Sequence, residues 1–342
     1  MARGSSTAGQ AGAATITRQQ SANREKRSLY TITAAYIGPA MIGIFIFSVI
    51  PIIYTLFTSF TNRNTFHFPP APDLFAPPKT GSYTFIGLKN YGTLFWDSTT
   101  NKFNTDIFSV LGNTVLYAVV CVGLFFIVGL GLALLLNSPY IQFKTLFRTL
   151  IILPWAAPAV LTAPIWKFFF NSNFGPINQI LRTVGVSNPP SWLGDPLWAW
   201  IGVVIVNLWL SYPFFMFVIM GALTTVPSDL YEAARIDGAS WWTQLFRITI
   251  PMIRPAVLPV LILSLITTFQ MFNTVWIITA GGPFTAIGKP GSTEFVMLYS
   301  YHYGLQQNNY GLMSAFAVVL FILLFSVTML NLRLSRANAK GV

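Results

Sequence analysis

Pro227-Ser228-Asp229-Leu230-Tyr231-Glu232-Ala233-Ala234-Arg235-Ile236-Asp237-Gly238-Ala239-Ser240 runs on through Ile248-Thr249-Ile250-Pro251 to Pro255. This polar, helix-prone stretch lies between two long apolar runs. Ser228 follows Pro227 and suits an N-cap. Asp229 and Glu232 put negative charge in the first turn, where the helix dipole favours it. Ala233 and Ala234 favour helix and keep one face thin. Gly238 sits where the short helix must stop and can take the left-handed conformation. A second helix is predicted from about Ser240 to Met252, with Trp241, Leu245 and Ile248 along one face. Pro251 and Pro255 are expected to bend the chain back into the next apolar run. A loop built this way is either a docking surface or an ordinary helix–turn–helix with a buried apolar side.

The apolar runs decide the class. The chain has 342 residues, of which 54% are hydrophobic and 8% charged, against about 25% charged in soluble domains. Six stretches reach the ~20 apolar residues that a bilayer-spanning helix needs: 34–58, 107–136, 149–170, 197–221, 256–279 and 312–332. The fold class expected is an all-α polytopic membrane protein with six transmembrane helices. Residues 1–33 are too poor in apolar surface to fold alone and read as a disordered cytoplasmic tail. No small-residue cleavage site follows the first apolar run, so it is not read as a signal peptide.

Charge sets the expected orientation. The net charge of +11 does not point to nucleic acid, because the basic residues flank apolar runs instead of forming a separate aromatic-interleaved patch. With both termini in the cytoplasm, the inner segments hold Arg3, Arg18, Arg24, Lys26, Arg27, Lys144, Arg148, Arg235, Arg247, Arg254, Arg333, Arg336 and Lys340. That bias is the one membrane insertion favours. It places the 222–255 loop and the 336–342 tail inside. The 59–106 loop falls outside, with Pro69, Pro70, Pro72, Pro77 and Pro78, and is long enough for a small ordered cap. Trp192, Trp198 and Trp200 fit an interfacial aromatic belt. Cys121 lies inside an apolar run and reads as a small buried residue.

Polar side chains inside a span are costly and face a cavity or another helix. Asn207 and Ser211 form one such cluster; Ser264, Thr267, Thr268, Gln270 and Asn273 form a second. Amides and hydroxyls beside Trp209, Phe214 or Phe269 have the chemistry a sugar needs. Interhelical hydrogen bonding explains the Ser and Thr residues equally well.

Glu232-Ala233-Ala234, then Asp237-Gly238, then Ile248 and Pro251 resemble the "EAA" coupling loop of ABC importer permeases. Phe85-Ile86-Gly87-Leu88-Lys89-Asn90-Tyr91 is similar to the phrase that precedes the family's first core helix, and Thr279-Ala280-Gly281-Gly282-Pro283 to the phrase at the outer end of the fifth span. Asn207-Leu208-Trp209-Leu210-Ser211-Tyr212-Pro213-Phe214 resembles a binding segment of the maltose-type, sugar-binding permease subunit. The resemblance covers about residues 34–335 and implies the ABC type I importer permease fold, with a permease core over 107–335 in the cell (plasma or inner) membrane. It implies ATPase coupling through Glu232, Ala233, Ala234, Asp237, Gly238 and Pro251. It implies sugar contacts at Asn207, Trp209, Leu210, Ser211, Phe214, Ser264, Thr267, Thr268, Gln270, Met271 and Asn273, with Phe214 standing where a tyrosine is often expected. The partners implied are a second homologous permease, an ATPase dimer that binds ATP and Mg, an extracytoplasmic solute-binding protein, a neutral sugar such as maltose or a maltooligosaccharide, and membrane lipid. Trehalose and glycerol 3-phosphate are the alternative solutes. The large inserted outer domain of the best-known maltose subunit has no counterpart in 59–106. Contacts to a binding protein are therefore expected from 59–106 and from 280–311, including Lys289, Glu294 and Tyr299 to Tyr310.

No cofactor is expected in this chain. Gly282 to Gly288-Lys289-Pro290 has the wrong spacing for a nucleotide-binding loop, and Pro where Ser or Thr must hold magnesium. His67 and His302 fall in different outer loops and read as surface residues, with no metal ligand set. All nine acids fall in loops, tails or helix ends. That argues against a proton-coupled carrier, which uses buried carboxylates, and no nucleophile or metal cluster suggests a membrane enzyme.

Overall fold

A computed structural model describes residues 31–65, 83–97 and 101–340. The tail over 1–30, His67 and the outer prolines lie outside the described residues. Helix α1, Thr31–Thr58, is the first long apolar helix. The phrase from Phe85 to Tyr91 is a clasp on its end. Asn90 Nδ2 donates to the carbonyls of Ser59 and Thr61 at 2.8 Å each, and the Tyr91 hydroxyl lies 2.6 Å from Ser59 Oγ. Helix α2, Lys89–Phe95, leads into a two-stranded antiparallel hairpin of β1, Trp96–Asp97, and β2, Lys102–Phe103.

Helix α3, Thr105–Asn137, is capped by Asn104, whose side chain accepts from Asp106 N. The predicted third span over 149–170 is two helices. Helix α4, Lys144–Ala156, and helix α5, Ala159–Phe169, meet at 93°. The cause is Ala157-Pro158: a residue before proline is pushed out of the helical region, and Ala157 is extended at φ −83°, ψ 127°. The short helix α6, Pro176–Thr183, follows. Helix α7, Pro196–Leu223, is started by Asp195, whose carboxylate accepts from Leu197 N and Trp198 N.

Helix α8, Ser228–Ile236, begins one residue earlier than the capping argument required. Pro227 occupies the cap position, and Ser228 Oγ donates to Asp229 instead of closing the turn. The end of α8 follows the expected chemistry. Gly238 has φ +73°. Its N–H donates to Arg235 O at 3.1 Å, and Ala239 N donates to Ala234 O at 2.8 Å. Those two bonds make a complete Schellman turn.

The second helix expected in the 222–255 loop and the start of the fifth apolar run are one element. Helix α9, Trp241–Phe269, runs 29 residues and continues through Pro251 and Pro255 as one helix. A wide turn over Leu245–Thr249, in which Ile250 N reaches back to Leu245 O, absorbs the proline. Such π-turns let a helix pass a residue that cannot continue the regular ladder. The helix stops at Phe269, short of the expected residue 279. Gln270 to Phe272 break it before α10, Asn273–Ile278. Helix α11, Val296–Ser300, and helix α12, Tyr310–Lys340, complete the chain.

Helices α3 and α7 share the most extensive packing. A Cβ on Gly129 would sit 2.7 Å from Phe215 Cβ, so the missing side chain lets the two helices touch. Small residues serve this purpose in bilayers, where dispersion packing holds helices together. Phe125, Phe215, Tyr117 and Val206 fill one buried cluster; Ala133, Met216, Ile219 and Ile253 fill a second. The tryptophans depart from a lipid-facing belt. Trp192 is buried and donates to Asn178 Oδ1 at 2.8 Å, and Trp200 donates to Asn113 Oδ1 at 3.1 Å. Only Trp198 of the three is exposed.

Candidate functional site

A cavity of about 350 Å³ opens between α4, α7 and α9, within the ~300–1,000 Å³ of small-molecule sites. The two polar clusters meet there. Asn207, Ser211 and Phe214 come from α7; Ser264, Thr267 and Thr268 come from α9, with Met271 just beyond its end. Pairs at four-residue spacing (Asn207 with Ser211, Ser264 with Thr268) share a helix face, which is why residues distant in the chain converge.

Four residues named from the sequence lie elsewhere. Trp209 turns from the cavity and packs edge-on to Trp166 at 5.8 Å. Leu210 packs against the first buried cluster. Gln270 closes the end of α9 and Asn273 opens α10, both exposed and outside the cavity lining. The register slips because α9 ends at Phe269, so the polar run is not one helical face. Phe269 itself is buried in a third cluster.

Trp155 was missed. It lies three residues before the Ala157-Pro158 break, inside what reads as an apolar span, and no sequence signal aims it inward. It stands just before the 93° bend and is about half exposed. Its ring stacks with Phe214 at 6.1 Å and 16°, and it lines the cavity with Phe125.

Asn207 is the site's most informative side chain. It is 2% exposed. Its Oδ1 accepts from Ser211 Oγ at 3.4 Å. Its Nδ2 is buried and has no hydrogen-bond partner among the described residues. An orphaned buried donor costs about 1–3 kcal/mol. That nitrogen is closed off from the cavity on the side of Tyr117 and Cys121, so Asn207 presents the cavity with the rest of its side chain. No charged residue lines the cavity.

The residues named for coupling lie on and just beyond α8, except Pro251, which is inside α9. Glu232, Ala233, Asp237, Gly238 and Pro251 are exposed and Ala234 half-buried. Ile236 is 86% exposed, an apolar side chain left bare at the tip of a turn. Helix α8 is tied to α9 through the Tyr231 hydroxyl, 2.9 Å from Thr249 Oγ1. Thr249 is buried in the wide turn.

Outside the cavity, Glu294 and His302 form a pair that the sequence hid. Glu294 is 3% exposed. Its carboxylate lies 2.6 Å from His302 Nδ1 and accepts from Gly291 N at 3.0 Å. Glu294 is thus an internal brace of the 279–295 loop and is not available as an exposed contact. Lys289, in the same loop, pairs with Asp106 at 3.0 Å.

Residues 126–339 match the family described as "Binding-protein-dependent transport system inner membrane component". The chain is 32% identical over 302 residues to the galactooligosaccharides transport system permease protein GanP of Bacillus subtilis, covering 88% of this chain and 69% of that one. It is 32% identical over 303 residues to the trehalose/maltose transport system permease protein MalF of Thermococcus litoralis, covering 87% and 91%. With the maltose/maltodextrin permease MalF of Salmonella typhimurium it shares 34% over 257 residues, 73% of this chain and 49% of that one. In fold it is similar to a chain of the bacterial ABC transporter that imports the acidic polysaccharide alginate, with TM-score 0.68, 20% identity, and 94% and 99% coverage. The chain therefore belongs to the binding-protein-dependent inner-membrane components, the permeases of ABC importers.

Proposed function

We propose that this chain is the membrane-spanning permease subunit of an ATP-driven importer of a neutral sugar of the maltose or maltooligosaccharide class. The observation that carries the reading is the cavity. It offers a stacked Trp155–Phe214 pair and the polar side chains of Asn207, Ser211, Ser264, Thr267 and Thr268. A sugar ring presents an apolar face to stack on and hydroxyls to accept and donate. Relatives named for maltose, trehalose and galactooligosaccharides support the class. Trehalose is a second reading on the same chemistry. Glycerol 3-phosphate is disfavoured, because its phosphate wants a cation and the lining holds none.

Both termini and the 222–255 loop face the cytoplasm in this reading. Helix α8, with Glu232, Ala233, Ala234, Asp237, Gly238 and the bare Ile236, docks on an ATPase dimer that binds ATP and Mg. A second, similar permease completes the path, and an extracytoplasmic solute-binding protein delivers sugar. Closure of the ATPases moves α8, the Tyr231–Thr249 link carries the motion into α9, and α9 opens the cavity outward. Uptake of labelled maltose, maltotriose, trehalose and glycerol 3-phosphate into proteoliposomes holding the full complex tests the reading. Uptake of a neutral sugar is expected; uptake of glycerol 3-phosphate alone would overturn it.

A further inference from the structure

Tyr117 joins two parts of the molecule that lie far apart in the sequence. It is fully buried on α3. Its hydroxyl donates to Met271 Sδ at 3.3 Å, and Met271 lines the cavity between α4, α7 and α9. Cys121 and Asn207 lie beside the same hydroxyl, and Asn207 lines the cavity from α7. The hydroxyl therefore backs two lining residues, one on α7 and one just past the end of α9. Met271 is the one that needs support. It sits in the break between α9 and α10, outside the regular helix ladder. Its side chain is unbranched, with three rotatable bonds.

The ring of Tyr117 is clamped. It stacks on Phe295 at 4.2 Å and 25° and meets Trp200 edge-on at 6.1 Å and 86°. Phe295 ends the 279–295 loop, and the same face of α3 holds that loop at two more points. Asn113 Nδ2 donates to Ser292 O at 2.8 Å, and Val296 N donates to Thr114 Oγ1 at 2.9 Å. Asn113 and Thr114 stand four and three residues before Tyr117, so the three share that face. Tyr117 continues from the loop to the cavity lining.

We propose that Tyr117 is a positioning residue for the solute: its hydroxyl holds Met271 in place as one wall of the cavity, and its ring ties that wall to the 279–295 loop. The proposal rests on the reading of the cavity as the sugar site. Tyr117 is not itself in the lining, so it acts on a sugar through Met271. A displacement of the loop moves the ring, the hydroxyl and the wall together.

The test uses the full-length chain with its co-purifying subunits, labelled at the methionine methyl groups and read by NMR. The chain has nine methionines, and Met271→Leu assigns the Met271 resonance by its loss. Tyr117→Phe keeps the ring and removes the hydroxyl. It should shift and narrow the Met271 resonance while the other methionine resonances hold. In proteoliposomes it should raise the KM for sugar uptake about two- to threefold, the low end for a neutral hydrogen bond because sulfur accepts weakly, with the maximal rate unchanged. In a Met271→Leu background it should have no further effect, since residues acting through one contact are not additive. Phe295→Leu unstacks the ring and Thr114→Val releases Val296 N; each loosens the loop with the hydroxyl in place and should shift the same resonance. An unmoved Met271 resonance in Tyr117→Phe, or additive effects of Tyr117→Phe and Met271→Leu on KM, would overturn the positioning role. An unmoved resonance in whichever loop variant assembles would overturn the tie to the loop. The resonance is read without transport, so a wild-type complex that takes up no neutral sugar while Tyr117→Phe still shifts it would count against the sugar reading alone.

Discussion

Gly238 is the position where one side chain decides whether α8 keeps its shape. Its φ of +73° is open to glycine, less so to asparagine, and costs other residues about 1–2 kcal/mol. A Cβ there meets no atom within 4 Å, so Gly238→Ala carries only the backbone term. At 1.4 kcal/mol per tenfold, the Schellman turn should lose about five- to thirty-fold in population relative to its opened form. Gly238→Asn should lose less. Gly238→Pro fixes φ near −65° and deletes the N–H that donates to Arg235 O at 3.1 Å. It should cost about 3 kcal/mol or more and unwind the last turn. The assay is the ratio of sugar-stimulated to basal ATPase activity in the reconstituted complex, with assembly checked by size exclusion. The ratio should fall in the order Gly, Asn, Ala, Pro while the long helices stay folded. A proline variant with wild-type coupling, or alanine milder than asparagine, would refute the role given to this turn.

Asn207→Leu removes an amide whose nitrogen has no partner. Sugar uptake should drop about two- to tenfold, as loss of a neutral hydrogen bond costs about 0.5–1.5 kcal/mol and 1.4 kcal/mol is tenfold, while thermal stability holds or rises; a large loss of stability would make the residue structural. Trp155→Ala should weaken sugar uptake and Trp209→Ala should lower the melting temperature with sugar preference unchanged, because Trp155 lines the cavity and Trp209 packs on Trp166; the reverse pattern would move the site. Glu294→Ala strands Gly291 N–H and His302 Nδ1 and should destabilise the outer loop by about 2–3 kcal/mol, a range for hydrogen bonds to charged groups. Unchanged proteolysis of residues 279–295 would argue that the pair carries no structural weight.

The long helices were legible because twenty apolar residues in a row leave few alternatives to a membrane span. Gly238 was legible because a polar helix must stop before the next one starts. What stayed hidden depended on tertiary geometry. Ala157-Pro158 reads as a pause within one apolar run, yet it turns the chain by 93° and brings Trp155 to Phe214. Pro251 and Pro255 read as the point where one element gives way to the next, yet α9 continues through both, with a wide turn at Leu245–Thr249 just before them. The break after Phe269 shifted Gln270 and Asn273 away from the cavity while leaving Ser264, Thr267, Thr268 and Met271 on it. Glu294 and His302 read as exposed residues of one outer loop, because nothing local marks eight residues of separation as a buried contact.

The most direct test of the central claim is ATPase activity of the reconstituted complex with its solute-binding protein, measured against maltose, maltotriose, trehalose and glycerol 3-phosphate. A cavity with aromatic and hydroxyl lining and no charge predicts stimulation by a neutral sugar, reduced in Trp155→Ala and Asn207→Leu. Stimulation by glycerol 3-phosphate alone, or full sugar stimulation in both variants, would contradict it.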